Sequence, residues 1–212
     1  MEQVQQNLSV PRRVWLIRHS QTEWNRSRRY LSDTDVLLNH FGERQAQAIA
    51  RFFAARRVDA VVHSGLQRTE QIARAIAGAR SISVQADWRW REVRHGRWEG
   101  LTYREVTQRF PDEAQRRFSN PLHAPIVGGE SLAQIAERVG QAWQALAEQC
   151  AGLRVAVVTH ATPIQLVLCR LFNVPPDQHW RWRVDLGSIT ALDCYPGGVI
   201  LRCANWRPAL DS

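Results

Sequence analysis

Three residues that suit chemistry on an anion follow apolar segments of the chain. His19 comes directly after RVWLIR, His160 closes RVAVVTH, and Arg68 stands a few residues beyond DAVVHS. Imidazole is nucleophilic when it is neutral near pH 7, and the planar guanidinium group of Arg fits phosphate oxygens in pairs. A single histidine after an apolar run is more often a packing residue than a catalyst, so these three residues matter as a group.

Strands and helices that would position these residues alternate along the sequence. Short apolar runs rich in β-forming residues predict strands, and apolar residues at helical spacing predict helices. The predicted strands are 13–18, 59–64, 81–86 and 154–160, with a hairpin of 188–195 and 198–205. The predicted helices are 42–57, 66–78, 102–110, 130–150 and 163–172, and Pro111 opens a further helix. The Trp- and Arg-rich stretch 87–100 has no period and is predicted to be a loop.

This alternation predicts an α/β fold, a three-layer sandwich with a mostly parallel central sheet and helices on both faces. The carboxyl ends of parallel strands meet at one edge of such a sheet, and binding sites form there. His19 and His160 are therefore expected at equivalent positions of that edge. Arg68 is expected in the first turn of its helix, where free backbone N–H groups favour an anion.

Composition places the chain among ordinary globular proteins. Its 212 residues, 44% hydrophobic and 23% charged, suffice for one sizeable core, and we predict a single domain over residues 1–212. The formal net charge of +8 attracts anions such as phosphorylated metabolites or nucleic acid. All 28 basic residues are Arg.

The sequence predicts neither a membrane segment nor a bound metal. No apolar run is long enough to cross a bilayer, and the opening MEQVQQNLSVPRR lacks the order of a secretory signal. A cytoplasmic protein without a membrane partner is therefore expected. The four cysteines are unevenly spaced and have no His at metal-ligand spacing, so we expect them to be reduced and buried.

The candidate residues also lie within a series of ordered motifs. RHSQTEWN (18–25) is followed by TDVLLNHFGERQA (34–46), SGLQRTEQIA (64–73), WREVRHGRWEG (90–100), GGES (128–131) and VVTHATP (157–163). In this order the motifs resemble the histidine phosphatase superfamily, in the branch that contains phosphoglycerate mutase. They extend over most of the chain, about residues 14–163. The resemblance implies a phosphoglycerate mutase-like fold of the class predicted above.

The resemblance implies roles for six residues and requires no metal or cofactor. His19 is implied to be the nucleophile that takes the phosphoryl group as a covalent phosphohistidine, which water then hydrolyses. Glu92 is implied to protonate the leaving oxygen and later to take a proton from the attacking water. The phosphoryl oxygens are implied to be bound by Arg18, Asn25, Arg68 and His160. The other histidines match no catalytic position and are predicted to be surface or structural residues: His40, His63, His95, His123 and His179.

Three departures from the family pattern lie near the implied site. Ser20 and Ala161 each stand where the family has Gly, a residue favoured at positive φ or close to a ligand. Leu31-Ser32 replaces a Gln-Gly pair common in broad-specificity members, which removes one hydrogen bond to the substrate. We expect these changes to adjust specificity, and a damaged site is the other interpretation.

Several functions remain open on the sequence alone. A phosphatase is preferred to a mutase because the segment between Glu92 and His160 is compact, whereas mutases of the family carry longer insertions there. DWRWREVRHGRWEG interleaves aromatic residues with Arg, which is typical of single-stranded nucleic-acid binding, although no nucleic-acid partner is expected. A family member that binds a phosphorylated ligand without turnover is a further alternative. The oligomeric state is open, with a homodimer among the options.

The predicted partner is a small-molecule phosphate ester. RYLSDTD, GRWEGLTYREVTQRFPDEAQRRF and RWRVDLGSIT look similar to α-ribazole phosphatases, which act on an intermediate of cobalamin synthesis. α-Ribazole 5′-phosphate is therefore the substrate hypothesis. We expect lid-like helices around residues 102–125 to recognise the substrate, and its flat benzimidazole to stack on one of the nine Trp side chains.

Overall fold

A computed structural model of the protein describes residues 12–210. The strands in this range are β1 (Arg13–Arg18), β2 (Ala60–His63), β3 (Ser83–Ala86), β4 (Arg154–Thr159), β5 (Ile189–Tyr195) and β6 (Gly198–Trp206). The α-helices are α1 (Glu23–Arg26), α2 (His40–Ala54), α3 (Gln67–Ala77), α4 (Tyr103–Arg109), α5 (Pro111–Ser119), α6 (Leu132–Gln149) and α7 (Ala161–Leu171). Short 3-10 turns occur at Trp88–Trp90, Gly96–Trp98 and Pro176–Arg181.

The strands form one six-stranded sheet in the order β3-β2-β4-β1-β5-β6. β3, β2, β4 and β1 are mutually parallel, whereas β5 and β6 form an antiparallel hairpin at one side. β1 pairs with β4 in a register that places Arg18 opposite Thr159. The residue that follows each strand is a histidine, so His19 and His160 leave the sheet side by side. This confirms that they occupy equivalent positions of the edge.

Helices cover both faces of the sheet, which confirms the predicted three-layer arrangement. Successive residues of β1 point to opposite faces. Val14 and Leu16 belong to a buried cluster that contains residues of α6 and α7. Trp15 and Ile17 belong to a second cluster that contains residues of α2 and α3. Each fully buried aliphatic or aromatic side chain of this kind contributes about 1.5–3 kcal/mol to stability.

A third, smaller cluster supports the segment predicted to recognise the substrate. Trp98 packs there with apolar residues of α4 and α5 and with Ile126. The indole N–H of Trp98 donates to Oε1 of the buried Glu113 at 2.5 Å, which fixes α5 on this cluster. α4 begins at a capping box formed by Thr102 and Glu105. These contacts explain why residues 102–119 fold into two short helices instead of one long loop.

The Trp- and Arg-rich stretch is more ordered than the predicted loop. Its 3-10 turns are only three residues long, too short to produce a detectable period. Trp90 and Trp98 are 0% and 1% exposed, and only Trp88 is largely exposed. Two of the three Trp side chains are therefore core residues. The stacking platform that a nucleic-acid interpretation of this stretch requires is not formed.

The remaining expectations concern membranes, metals and cysteines. Within residues 12–210, no helix is both long and apolar enough to cross a bilayer. The same residues contain no cluster of three His, Cys, Asp or Glu that would hold a metal ion. All four cysteines are free thiols, but the prediction that all are buried is wrong for Cys203, which is partly exposed. Cys203 lies on β6, the edge strand, none of whose residues is fully buried.

Candidate active site

His19 and His160 lie next to each other at the carboxyl edge of the parallel strands. The backbone N–H of His19 donates to the carbonyl oxygen of Thr159 at 2.9 Å, which continues the β1–β4 ladder by one residue. The two imidazole rings are 5.0 Å apart between centroids and inclined by 60°. Both side chains are buried, with 4% and 0% exposure. The structure therefore brings together the two histidines that the sequence singled out.

A backbone carbonyl selects the tautomer of His19. Nδ1 lies 2.8 Å from the carbonyl oxygen of Ser20, which can only accept, so Nδ1 carries the proton and Nε2 carries the lone pair. Burial lowers the pKa of His19 well below 6.5, and the charges of Arg68 and Arg18 lower it further, against the effect of the Ser20 hydrogen bond. At neutral pH His19 is thus an uncharged imidazole with a free lone pair on Nε2.

A chain of buried hydroxyl groups orients His160. Thr69 Oγ1 donates to the carbonyl oxygen of Leu66 at 2.7 Å and therefore accepts from Ser64 Oγ at 2.9 Å. Ser64 Oγ, having donated its proton, accepts from Nε2 of His160 at 2.8 Å. Burial, followed by the charge of Arg68, lowers the pKa of His160 well below 6.5. The ring is therefore neutral, with its lone pair on Nδ1, which is buried and has no partner in the described part of the chain.

Two arginines beside the histidines are held by backbone carbonyl groups. Arg68, in the first turn of α3, donates from Nη1 to Thr34 at 2.8 Å and from Nη2 to Ser32 at 2.6 Å. Arg18 donates from Nη1 to the carbonyl oxygen of Val184 at 2.7 Å. Burial lowers the pKa of Arg18, and it lowers the pKa of Arg68 to about 10. Both guanidinium groups remain charged at neutral pH.

Glu92 is held beside His160 by two backbone N–H groups. Its Oε1 accepts from Val93 at 2.9 Å, and its Oε2 accepts from Thr162, in the first turn of α7, at 3.4 Å. Glu92 as a whole is 9% exposed. Burial lowers the pKa of Arg68, and the negative charge of Glu92 opposes that effect. A carboxyl group, two imidazoles and two guanidinium groups thus share one edge of the sheet.

Asn25 has a local structural function as well as its implied one. It lies on α1, a four-residue helix that the sequence did not predict. Its backbone N–H donates to Thr22 Oγ1 at 3.2 Å, and its Oδ1 accepts from the backbone N–H of Thr22 at 3.0 Å. This capping box accounts for the T-x-x-N spacing on structural grounds. The side chain of Asn25 can donate to an anion only from its Nδ2 amino group, because an amide oxygen accepts hydrogen bonds and does not donate them.

Comparison with known proteins identifies the family of the chain. Residues 14–207 match the family model of the Histidine phosphatase superfamily (branch 1). The chain belongs to this superfamily. The predicted family and the predicted enzyme class, a phosphoric monoester hydrolase of the histidine phosphatase type, are thereby confirmed.

Several relatives align with most of the length of this histidine phosphatase. Phosphoserine phosphatase 1 of Hydrogenobacter thermophilus is 30% identical over 177 residues, 84% of each chain. The adenosylcobalamin/α-ribazole phosphatase of Escherichia coli is 29% identical over 195 residues, 92% of this chain and 96% of the relative. The crystal structure of the α-ribazole phosphatase of Shigella flexneri superposes with a TM-score of 0.87 at 26% identity, covering 94% of this chain and all of that one. The chain spans 52% of the length of a bifunctional protein of Mycobacterium tuberculosis that it also matches.

The two residues that replace family glycines cause no backbone strain in this histidine phosphatase. Among the described non-glycine residues, positive φ angles occur at Arg28, Asn173 and Asn205, and neither Ser20 nor Ala161 is one of them. The conformational freedom of Gly is therefore not required at either position. Positive φ, one of the two reasons for Gly at these positions, therefore gives no support to the damaged-site interpretation.

The Leu31-Ser32 departure lies in a buried segment that supports Arg68. Leu31 and Ser32 are 7% and 1% exposed. The carbonyl oxygen of Ser32 accepts from Arg68, its hydroxyl donates to Glu99, and the same hydroxyl accepts from the backbone N–H of His95 at 3.1 Å. The sequence did not reveal this contribution because a backbone carbonyl leaves no signature in residue types.

A cavity of about 530 Å³ opens beside Glu92. Val93 and Thr162, which bond to the Glu92 carboxylate, form part of its wall. Rings make up much of the remainder, from Tyr30, His95, Trp98, Phe118, His179 and Trp180. The Tyr30 and His95 rings lie 4.9 Å apart in an edge-on contact. His95 and His179, which the sequence predicted to be surface or structural residues, both line this cavity.

Proposed function

We propose that this protein hydrolyses phosphate monoesters through a phosphohistidine formed on His19. Nε2 of His19 attacks phosphorus, the bond between phosphorus and the ester oxygen breaks, and the protonated Glu92 carboxyl gives its proton to the departing oxygen. Water then attacks phosphorus, the bond to Nε2 breaks, and the Glu92 carboxylate takes a proton from that water. Inorganic phosphate and the alcohol leave, and water is the only co-reactant consumed.

In this mechanism the polar and charged groups around His19 bind the phosphoryl oxygens. Arg18 and Arg68 are held in place before substrate arrives, and such preorganised charge favours the dispersed negative charge of the transition state. Asn25 contributes Nδ2 as a further donor. His160 presents the lone pair of Nδ1, so it would accept a hydrogen bond from the protonated oxygen of a phosphate monoanion. This hydrogen bond gives the second histidine a function distinct from that of the nucleophile.

The observation that carries the proposal is the buried, uncharged His19 with its lone pair on Nε2 beside two fixed guanidinium groups. The test compares the wild type with His19→Ala and with His123→Ala, an exposed histidine that serves as the control. Wild type and control should release phosphate from p-nitrophenyl phosphate and form an acid-labile phosphoenzyme, and His19→Ala should do neither. A folded wild type that forms no phosphoenzyme would favour a phospho-ligand binding protein without turnover.

We further propose α-ribazole 5′-phosphate as the substrate. Two relatives named for this activity cover more than nine-tenths of the chain. The cavity beside Glu92 supports the assignment because its rings suit a flat aromatic group, which aromatic side chains recognise by stacking. Trp180, which is 68% exposed, and Trp98, which is buried, are the Trp residues of that wall.

O-Phosphoserine is the second candidate, because a phosphoserine phosphatase is 30% identical to this chain. A panel of α-ribazole 5′-phosphate, O-phosphoserine, 3-phosphoglycerate and p-nitrophenyl phosphate distinguishes the candidates by kcat/KM. A preference for α-ribazole 5′-phosphate over p-nitrophenyl phosphate supports the assignment, and equal or lower activity removes it. Formation of 2-phosphoglycerate from 3-phosphoglycerate, without release of phosphate, would indicate the mutase alternative.

A further inference from the structure

A buried ion pair between Arg138 and Glu130 lies behind the segment that carries Glu92. Arg138 is on α6, and Glu130 lies two residues before the start of that helix. Their side chains are 9% and 8% exposed. Arg138 Nε donates to Glu130 Oε1 at 3.0 Å, and Nη2 donates to Oε2 at 2.7 Å. This bidentate geometry is the one that best compensates a guanidinium and a carboxylate for their loss of water.

The remaining donors of Arg138 all bind backbone carbonyl groups near Glu92. Nη1 donates to Arg89 at 2.8 Å and to Arg91 at 3.1 Å, and Nη2 donates to Glu92 itself at 3.3 Å. A guanidinium group has five N–H donors, so every donor of Arg138 is engaged. Trp90 lies between Arg89 and Arg91, and its carbonyl oxygen accepts from Thr159 Oγ1 at 2.5 Å. Four consecutive carbonyl groups are therefore fixed by side chains.

Glu130 holds the chain on the other side of Glu92. Its Oε2 accepts from the backbone N–H of Arg94 at 3.0 Å, and its own N–H donates to the Arg94 carbonyl oxygen at 2.9 Å. Burial would raise the pKa of Glu130, but hydrogen bonds and charge from Arg138 and Arg94 hold it below its ordinary value. The carboxylate is thus ionised at neutral pH and matches Arg138 in charge.

We propose that Arg138 and Glu130 are positioning residues for the Glu92 carboxyl group, an inference that rests on the proposed acid-base role of Glu92. Their side chains reach the backbone on both sides of Glu92 and touch no reacting atom in the proposed mechanism. They fix where the carboxyl group stands relative to the departing oxygen, since a side chain is aimed by its own backbone. A misplacement of about 1 Å is enough to reduce a rate by about 100-fold.

The test uses esters that differ in how much they need a proton on the leaving oxygen. p-Nitrophenolate can leave without being protonated, whereas an alkoxide needs a proton from an acid in order to leave. We therefore measure kcat/KM for p-nitrophenyl phosphate, phenyl phosphate and an alkyl phosphate. We expect Arg138→Lys to lower kcat/KM about 10- to 100-fold for the alkyl phosphate and less than about threefold for p-nitrophenyl phosphate. Glu130→Gln is the second variant, because its amide preserves the shape of the side chain if Arg138→Lys does not fold.

Asp193→Asn is the matched control. It weakens another ion pair, with Arg13 and Arg202, at the opposite end of β1 from Arg18. Its kcat/KM should fall equally, or not at all, for all three esters. The positioning role is overturned if Arg138→Lys and Glu130→Gln behave in the same way as this control.

Glu92→Gln separates failure of this inference from failure of the proposed function. If Glu92→Gln steepens the dependence on the leaving group and Arg138→Lys does not, the positioning role alone is wrong. If Glu92→Gln lowers kcat/KM equally for all three esters, Glu92 is not the acid, and both the proposed role and this inference are wrong.

Discussion

Replacement of Ser64 by Ala tests how strongly the second histidine depends on its buried partner. Ser64, Thr69 and His160 are all 0% exposed. The substitution removes the oxygen that accepts a hydrogen bond from Nε2 of His160. Thr69 Oγ1 still donates to the carbonyl oxygen of Leu66. His160 Nδ1 has no partner among the described residues, so the variant leaves the imidazole without any hydrogen bond from the protein.

The loss of this hydrogen bond should lower the free energy of unfolding. One buried N–H left unsatisfied costs about 1–3 kcal/mol. In a domain of this size, each kcal/mol corresponds to about 2–4 °C in Tm, so a loss near 2 kcal/mol lowers Tm by about 4–8 °C. The ring also loses the contact that fixes its tautomer and its orientation toward the phosphoryl group. We expect kcat/KM to fall by about 100-fold, as for a catalytic group displaced by about 1 Å.

The control for Ser64→Ala is Thr69→Val, which removes the next hydroxyl of the chain but leaves the Ser64 oxygen in contact with His160. Thermal unfolding should show comparable losses of Tm for the two variants. Phosphate release should show a large loss of kcat/KM for Ser64→Ala and less than about a tenfold loss for Thr69→Val. Equal losses of kcat/KM would refute the orienting role, and so would an unchanged kcat/KM in Ser64→Ala.

Three further predictions test the pH dependence, the packing behind the nucleophile and the cavity. Burial lowers the pKa of His19 and His160 below 6.5, so the unfolded chain binds more protons than the folded chain as pH falls below that value. The urea midpoint of unfolding should therefore decrease as pH is lowered from about 7 to about 5, and it should decrease less steeply in His160→Gln. Gly42→Ala places Cβ 2.0 Å from the carbonyl oxygen of Gln21 and should lower the free energy of unfolding by about 1–3 kcal/mol, whereas Gly197→Ala, with nothing within 4 Å, should leave it unchanged. Trp180→Ala should raise KM for aryl phosphates and leave KM for O-phosphoserine unchanged; an equal rise for both would remove Trp180 from recognition of the leaving group.

The residues of the sheet edge were predictable because strand ends have a clear signature. RVWLIR and RVAVVTH are almost continuously apolar, which is typical of strands covered on both faces, and a polar residue after such a run marks the edge. The contact between His19 and His160 was not predictable from either run alone. It depends on the register that pairs Arg18 with Thr159, a tertiary feature with no local signal.

Side chains that act through the backbone were the least predictable part of the candidate site. The carbonyl groups that hold Arg68 belong to Ser32 and Thr34, and any residue type would supply the same oxygen. Arg138 did leave a signal, because it lies on the apolar stripe of the predicted helix 130–150, three residues after Ile135. A charged residue on a buried stripe implies a buried partner, and Glu130 eight residues earlier is the one that it binds.

The distribution of charge around His19 explains why the imidazoles are neutral while the arginines stay charged. Burial disfavours every charged form, but its effect decides protonation only where the ordinary pKa is close to neutral. The pKa of histidine is close to neutral, whereas Arg68 keeps its proton even with a pKa lowered to about 10. Burial and the two guanidinium charges act in the same direction on His19. The two arginines proposed to bind the phosphoryl group therefore also add to the effect of burial that keeps the proposed nucleophile unprotonated.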